Sequence, residues 1–177
     1  FFFSADLESL GKWYRQLMGE SVGKDKDNNG STVWTGPTPT VTIGSTDLHS
    51  LGQLYLGGPY DKLTTFVKVG KNNHAVKIPV MKEFEPLVAN IQGIKMDAIM
   101  NAIYDGTKAA FIKGKRPFCE IILPDKSAYS IGQFLQFKLI EIMCLAALLN
   151  VNPFDQPNVE SYKAETRAIL ASGKMKK

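Results

Sequence analysis

The chain alternates short β-branched or apolar runs with longer segments whose apolar residues recur at helical spacing. "FFF" at the start reads as the end of a strand whose beginning has been cut off. "LESLGKWYRQLMGESVG" then puts Leu7, Leu10, Tyr14, Leu17 and Met18 on one helical face, with Asp6 as a plausible N-cap. "GKDKDNNGST" reads as a polar loop. "GPTPTVTIGST" must be extended, because its prolines exclude helix. "DLHSLGQLYLGG" predicts a short helix capped by Ser45, Thr46 or Asp47 and closed by Gly57 and Gly58.

"LTTFVKVG" and "HAVKIPV" have strand character. "IKMDAIMNAIYDGTKAAFIKGK" predicts a helix with Ile94, Ala98, Ile99, Ala102, Ile103 and Ala109 as its stripe. "PFCEIILP" is a near-continuous apolar strand, the kind expected in a sheet covered on both faces. "SAYSIGQFLQFKLIEIMCLAALLNV" predicts a long helix, apolar almost all round and therefore central. "NPFDQPN" reads as a tight loop before a last helix, "VESYKAETRAILAS". Strands alternate with helices, so the predicted class is α/β, with a parallel-rich sheet sandwiched between helices. No repeat, low-complexity segment or interior linker interrupts the pattern.

Composition narrows the function classes. The chain has 177 residues, 44% of them hydrophobic and 21% charged, which fits one domain with a real core. Its net charge of +4 is scattered, apart from the small cluster in the tail "GKMKK". A nucleic-acid binder more often carries a basic stripe with interleaved aromatics, and a mildly basic surface equally suits an anionic small molecule. Cys119 and Cys144 lack CxxC partners and lie in apolar runs, so both read as small buried hydrophobes in a reducing compartment. With only two histidines a zinc site is hard to assemble. The start lacks a basic n-region and a small-residue cleavage site, so no signal peptide is expected; it also lacks an initiator methionine. The apolar run from Ile131 is broken by Gln133, Gln136, Lys138 and Glu141, which argues for a buried helix rather than a membrane span.

Candidate chemistry is sparse. "GESVGK" is too short for a phosphate loop, and Asp25 stands where a hydroxyl would hold magnesium. No GxGxxG is present. Glu8 sits at a strand-to-helix junction, where open α/β sheets bind ligands; a carboxylate there is also simply favoured by the helix dipole. His49, beside Asp47 and several hydroxyls, suits an acid–base group or a surface position equally. His74 follows a turn and reads as solvated. In "NPFDQPNVESYK", Asp155 can cap the following helix, and Gln156 and Lys163 face whatever the helix start faces.

Together these segments resemble one family, glucose-6-phosphate isomerase. "DLESLGKWYRQ" is similar to the family segment with the catalytic glutamate, and "GSTDLHSLGQLYLGGP" to the segment with the active-site histidine. "LLNVNPFDQPNVESYK" resembles the family's C-terminal signature, with a glutamine and a lysine in the pocket. The resemblance implies a sugar isomerase (SIS) domain, a three-layer αβα sandwich with a mostly parallel sheet, over residues 1–177, the C-terminal portion of an enzyme whose N-terminal SIS domain is not matched. It implies the interconversion of glucose 6-phosphate and fructose 6-phosphate through a cis-enediol(ate), in glycolysis and gluconeogenesis, in the cytoplasm, with no metal and no organic cofactor. By position, Glu8 matches the base, His49 the histidine that assists ring opening, Lys163 the lysine that helps that opening and contacts substrate, and Gln156 a glutamine near the substrate phosphate. The implied partners are the sugar phosphate, the N-terminal half of the same enzyme and a second subunit of a homodimer, which supplies the histidine; neither nucleic acid nor membrane is implied. Ser4 stands where many relatives carry a pocket glutamine. "LGKWYRQLMGES" also resembles the isomerase half of bacterial transaldolase–isomerase fusions. Two other readings remain at this stage. One is a non-catalytic SIS module that binds sugar phosphates for regulation. The other is an interaction role in which exposed Phe1, Phe2 and Phe3 meet a partner, the upstream chain being needed to cover an apolar face.

Overall fold

The structure is a computed structural model that describes residues 1–72 and 75–172. His74 and the "GKMKK" tail lie outside the described residues. In chain order the elements are α1 (Glu8–Val22), β1 (Lys24–Lys26), β2 (Thr32–Thr35), α2 (Thr46–Ser50), α3 (Gly52–Gly57), β3 (Thr64–Val69), α4 (Glu85–Val88), α5 (Met96–Lys113), β4 (Phe118–Leu123), α6 (Ala128–Leu148) and α7 (Pro157–Ala171). They divide into two compact units. The first comprises Phe1–Lys12 and Val41–Phe134; the second comprises Trp13–Thr40 and the chain from Leu135 on.

The first unit is built on parallel backbone pairing. β3 and β4 run parallel from Thr64↔Phe118 to Val69↔Leu123. Phe2 bridges Val67 of β3 on one side and Ile43 on the other, both in parallel. The chain start therefore does complete a strand position, with the Phe3 N–H donating to Val67 O and the Val67 N–H to Phe1 O, both at 2.8 Å. Side chains alternate across this sheet. Phe1, Phe3 and Phe66 point to one face, where they meet Tyr55, Tyr104 and Phe111. Phe2 points to the other, where its ring lies 6.1 Å from Phe134 of α6 and against Gly11 of α1. With α3 and α5 on one face and the first turns of α1 and α6 on the other, the unit has the three αβα layers of the predicted class.

All three N-terminal phenylalanines are buried, at 4–7% exposure. The expectation of exposed rings there is overturned, because the sheet alternation gives each ring a helix to pack on. Gly11 sets how closely α1 approaches. A Cβ there would lie 2.7 Å from Val41 Cγ1 and 2.8 Å from Phe2 Cε2. Gly11→Ala gains up to about 1 kcal/mol of helix propensity but costs about 1–3 kcal/mol by overpacking. A net loss of about 1 kcal/mol is expected, and an unchanged urea midpoint would refute the close-approach argument.

The second unit packs the later turns of α1 against α6. Val22, Ile142, Ala146 and Val151 form its core, flanked by Tyr14, Leu17, Met18, Leu145 and Leu149. Lys138 is 2% exposed among these apolar groups and donates to Glu141 Oε2 at 2.7 Å, while the Tyr14 hydroxyl donates to the other carboxylate oxygen. What reads as a polar loop is an antiparallel hairpin of β1 and β2. Its turn is closed by Asp27 Oδ1, which accepts from the N–H groups of Asn29 and Ser31, and by Gly30 at φ +82°. β1 is too polar and β2 too short to show an apolar period, but "NNG" is the turn signal that marks them.

Several expectations are corrected by packing. The predicted helix after Ser45 breaks at Leu51 into α2 and α3. "HAVKIPV" forms no strand in its described part; Lys77 makes a single bridge to Lys95, and Pro79 has no N–H to extend a ladder. Asp6 lies inside a 3-10 turn whose N-cap position is Ser4, and its carboxylate pairs with Lys126. Asp155 does not cap α7, whose N-cap position is Gln156. The buried face of α5 is Tyr104, Thr107 and Phe111, whereas Ile94, Ala98, Ile99 and Ala102 line an open groove. α6 is long and apolar enough to cross a membrane, but it is not central: one stripe is buried, through Ser130, Phe134, Lys138, Ile142 and Ala146. Phe137, Ile140, Met143 and Leu148 on its other faces are exposed. β4 is likewise covered incompletely, with Ile122 60% exposed. Cys119 and Cys144 lie on these uncovered faces of β4 and α6 and are exposed, not buried.

Candidate active site

Parallel pairing in the first unit sends every strand out at the same end of the sheet, the end where α/β folds bind ligands. The position of Phe2 leads through a 3-10 turn, Ala5–Leu7, into α1, whose first residue is Glu8. The neighbouring position, Ile43, leads into α2, which carries His49. Glu8 and His49 are thus carried by adjacent strand exits. The Glu8 carboxylate is about half exposed and pairs with Lys12 Nζ at 2.8 Å, one helical turn on. Such a surface pair is weak, so the carboxylate is available to a ligand. His49 is exposed and makes no hydrogen bond or ion pair among the described residues. Its helix is fixed instead by Asp47, whose Oδ2 accepts from the Ile43 N–H at 2.7 Å and whose Oδ1 accepts from the Ser50 hydroxyl at 2.9 Å. Glu8 and His49 do not bond to each other.

A further strand exit was not singled out by motif. β4 leads through "PDKS" into α6, where Asp125 Oδ1 accepts from the Ser127 N–H and the Ser130 hydroxyl. Hydrogen bonds from Ser127 and Ser130 hold the Asp125 carboxyl at about 2. Lys126 pairs with Asp6, next to the Glu8 turn. The signal that marks Glu8, a polar residue directly between a strand and a helix, marks these residues too.

Gln156 and Lys163 belong to the second unit. Gln156 precedes Pro157 of α7 and donates from Nε2 to Glu20 Oε2 at 3.3 Å. Lys163 lies two turns further along, on the same side of α7 and about 10 Å up its axis. Its ammonium donates to Glu160 Oε1 at 2.7 Å, which raises its pKa above the ordinary lysine value. The four candidate side chains divide evenly between the units. Chemically they offer an accessible carboxylate, an unengaged imidazole, a cation and an amide. Among the described residues no group of three or more His, Cys, Asp or Glu side chains is arranged to hold a metal.

No family profile matches the chain. A glucose-6-phosphate isomerase from Carboxydothermus hydrogenoformans is 36% identical over 171 residues, 95% of this chain and 36% of that protein. Another from Pediococcus pentosaceus is 34% identical over 168 residues, with the same coverage. The chain resembles part of the glucose-6-phosphate isomerases. It spans 36% of the length of these curated relatives. A solved structure of a hypothetical protein from Thermus thermophilus superposes with a TM-score of 0.89 at 32% identity, covering 96% of this chain and 40% of that one. A glucose-6-phosphate isomerase from Chlamydia trachomatis superposes with a TM-score of 0.80 over 98% of this chain and 34% of its own. At 18% identity that likeness carries the α/β fold alone.

Proposed function

We propose that this chain is the C-terminal SIS portion of a glucose-6-phosphate isomerase and supplies part of its catalytic apparatus. The observation that carries the reading is the placement of Glu8 and His49 at neighbouring parallel strand exits, in a chain similar over 95% of its length to proteins of that name. Glu8 is the base that moves a proton between C2 and C1 of the open sugar. The C2 proton is weakly acidic, so the base must stand within hydrogen-bond reach of it. His49 exchanges the ring-oxygen proton, a role that imidazole chemistry suits. Lys163 assists that opening, and Gln156 offers its amide near the substrate phosphate. A cation near the enediolate stabilises the charge that develops there.

In this reading the active enzyme is a cytoplasmic homodimer of a longer polypeptide, with His49 contributed across the subunit interface. The decisive assay supplies fructose 6-phosphate and follows glucose 6-phosphate, first with the 177-residue chain and then with the remainder of the polypeptide added. Activity that appears only on addition supports a shared site. Clear turnover by the chain alone would sink the claim that it is partial, and no turnover in either case would sink the isomerase reading. Sharing has its own test. Co-expressed Glu8→Gln and His49→Ala full-length chains are expected to recover about a quarter of wild-type activity, since half of the dimers are mixed and each carries one intact site. No recovery would place both groups in one subunit.

A further inference from the structure

We propose that Lys24 is a positioning residue for the arm of the site that carries Gln156 and Lys163; the inference rests on the reading above. Lys24 lies in a stretch whose composition reads as a solvated loop, yet its side chain is only 5% exposed. Lysine is almost never so buried unless it is paired. Its ammonium donates to Asp155 Oδ1 at 2.9 Å, to the main-chain oxygen of Asp155 and to Glu20 O at 3.3 Å. The first pair of acceptors belongs to the residue directly before Gln156. Asp155 is fixed from the other side by Asn152 Nδ2 at 3.0 Å, and its carboxyl is held below the ordinary range chiefly by Lys24.

The neighbours of Lys24 continue the same grip. Glu20 accepts from Gln16 on one oxygen and from Gln156 Nε2 on the other, so the amide of Gln156 is turned by a carboxylate that is itself held. Asp25 accepts from Asn158 Nδ2 at 3.2 Å. The end of α1 and the start of β1 thereby hold residues 155, 156 and 158 in succession. α7 buries none of its residues, so its start is set by these polar contacts rather than by an apolar face. Burying a lysine is unfavourable until hydrogen-bonded partners replace its lost hydration. What this burial secures here is the backbone at Asp155, from which the direction of α7, and hence of Lys163 two turns on, follows. Loss of the ammonium leaves the Asp155 carbonyl and carboxylate without their cation and lets the Gln156 turn move.

The test uses the full-length enzyme with Lys24→Met, which keeps the apolar stem. Gln156→Ala is expected to raise KM for fructose 6-phosphate about 10-fold. Lys24→Met should raise it by a similar factor, and the double variant should be within about 2-fold of the worse single one. Amide exchange is expected to speed at least ~10-fold over residues 155–163 and to stay unchanged in β3 and β4. Asp155→Asn, which leaves the carbonyl acceptor in place, gives the same direction at smaller size if Lys24→Met does not fold. Wild-type kinetics in Lys24→Met, effects that multiply with Gln156→Ala, or exchange that rises equally throughout would each overturn the proposal. If Gln156→Ala and Lys163→Ala leave the kinetics unchanged, the site reading falls and takes the proposal with it. If they weaken the enzyme and Lys24→Met does not, Lys24 alone is removed from the site.

Discussion

If the proposed function holds, replacing Glu8 by glutamine is expected to lower kcat of the full-length protein for fructose 6-phosphate by about 10²–10⁴-fold while KM stays within a few-fold, the signature of a group used in the transition state rather than in binding. Glutamine keeps the shape and the hydrogen-bonding oxygen but cannot accept a proton to become neutral. The local structure should survive the change. Glu8 is the first residue of α1 and its partner is the exposed Lys12 at 2.8 Å. An ion pair of this kind contributes about 0.3–0.5 kcal/mol, and the helix-dipole term is of similar size. The measurement is the coupled assay together with solvent-hydrogen exchange at C1 and C2 of the sugar. Exchange at near wild-type rates in the variant would remove Glu8 from the role of base, whatever happened to KM.

For stability the largest expected effect is Phe66→Ala, a loss of about 3–5 kcal/mol. Phe66 is completely buried at the centre of the aromatic cluster. Its ring centroid lies 4.9 Å from Phe111, 5.1 Å from Phe118, 5.8 Å from Phe3 and 6.0 Å from Tyr104, mostly in edge-to-face geometry. Removing it takes away the transfer energy of a large apolar group, leaves a cavity, and breaks aromatic pairs that contribute about 0.5–1.5 kcal/mol each beyond burial. The stability of an ordinary domain is about 5–15 kcal/mol in total, so the variant should unfold at much lower urea concentration. Exchange protection in β3 and β4 should fall with it. A loss below about 1 kcal/mol would mean that the cluster is not what holds the parallel pair together.

The same cluster explains what could and could not be anticipated. Phe66, Val67 and Val69 announce a strand, because β-branched and aromatic residues in a short run fit a pleated, half-buried surface. Glu8, His49, Gln156 and Lys163 were singled out through the family segments they match; Glu8 and Gln156 also stand at element boundaries, the start of α1 and the N-cap of α7, whereas Lys163 lies two turns inside α7. Lys24 was not. Nothing in "GKDKDNNGST" distinguishes a buried lysine from its exposed neighbours; the distinction is made by Asp155, which is remote in sequence. Tyr104 and Phe111 escaped the helical stripe for a related reason, the stripe having been drawn on aliphatic residues while the sheet presented an aromatic face.

Local pattern was enough for the α/β class and for α1, β3, α5, β4, α6 and α7, because helix and strand periods and turn residues act over a few neighbouring positions. Tertiary structure alone decided which apolar faces are covered. α6 is apolar nearly all round, yet only the stripe from Ser130 to Ala146 is buried. Phe1, Phe2 and Phe3 are buried where exposure was expected, and Cys119 and Cys144 are exposed where burial was expected. Periodicity reports which side chains would gain from leaving water. Whether they do so depends on which remote segment arrives to cover them, and that is fixed by strand pairing and helix packing rather than by local pattern.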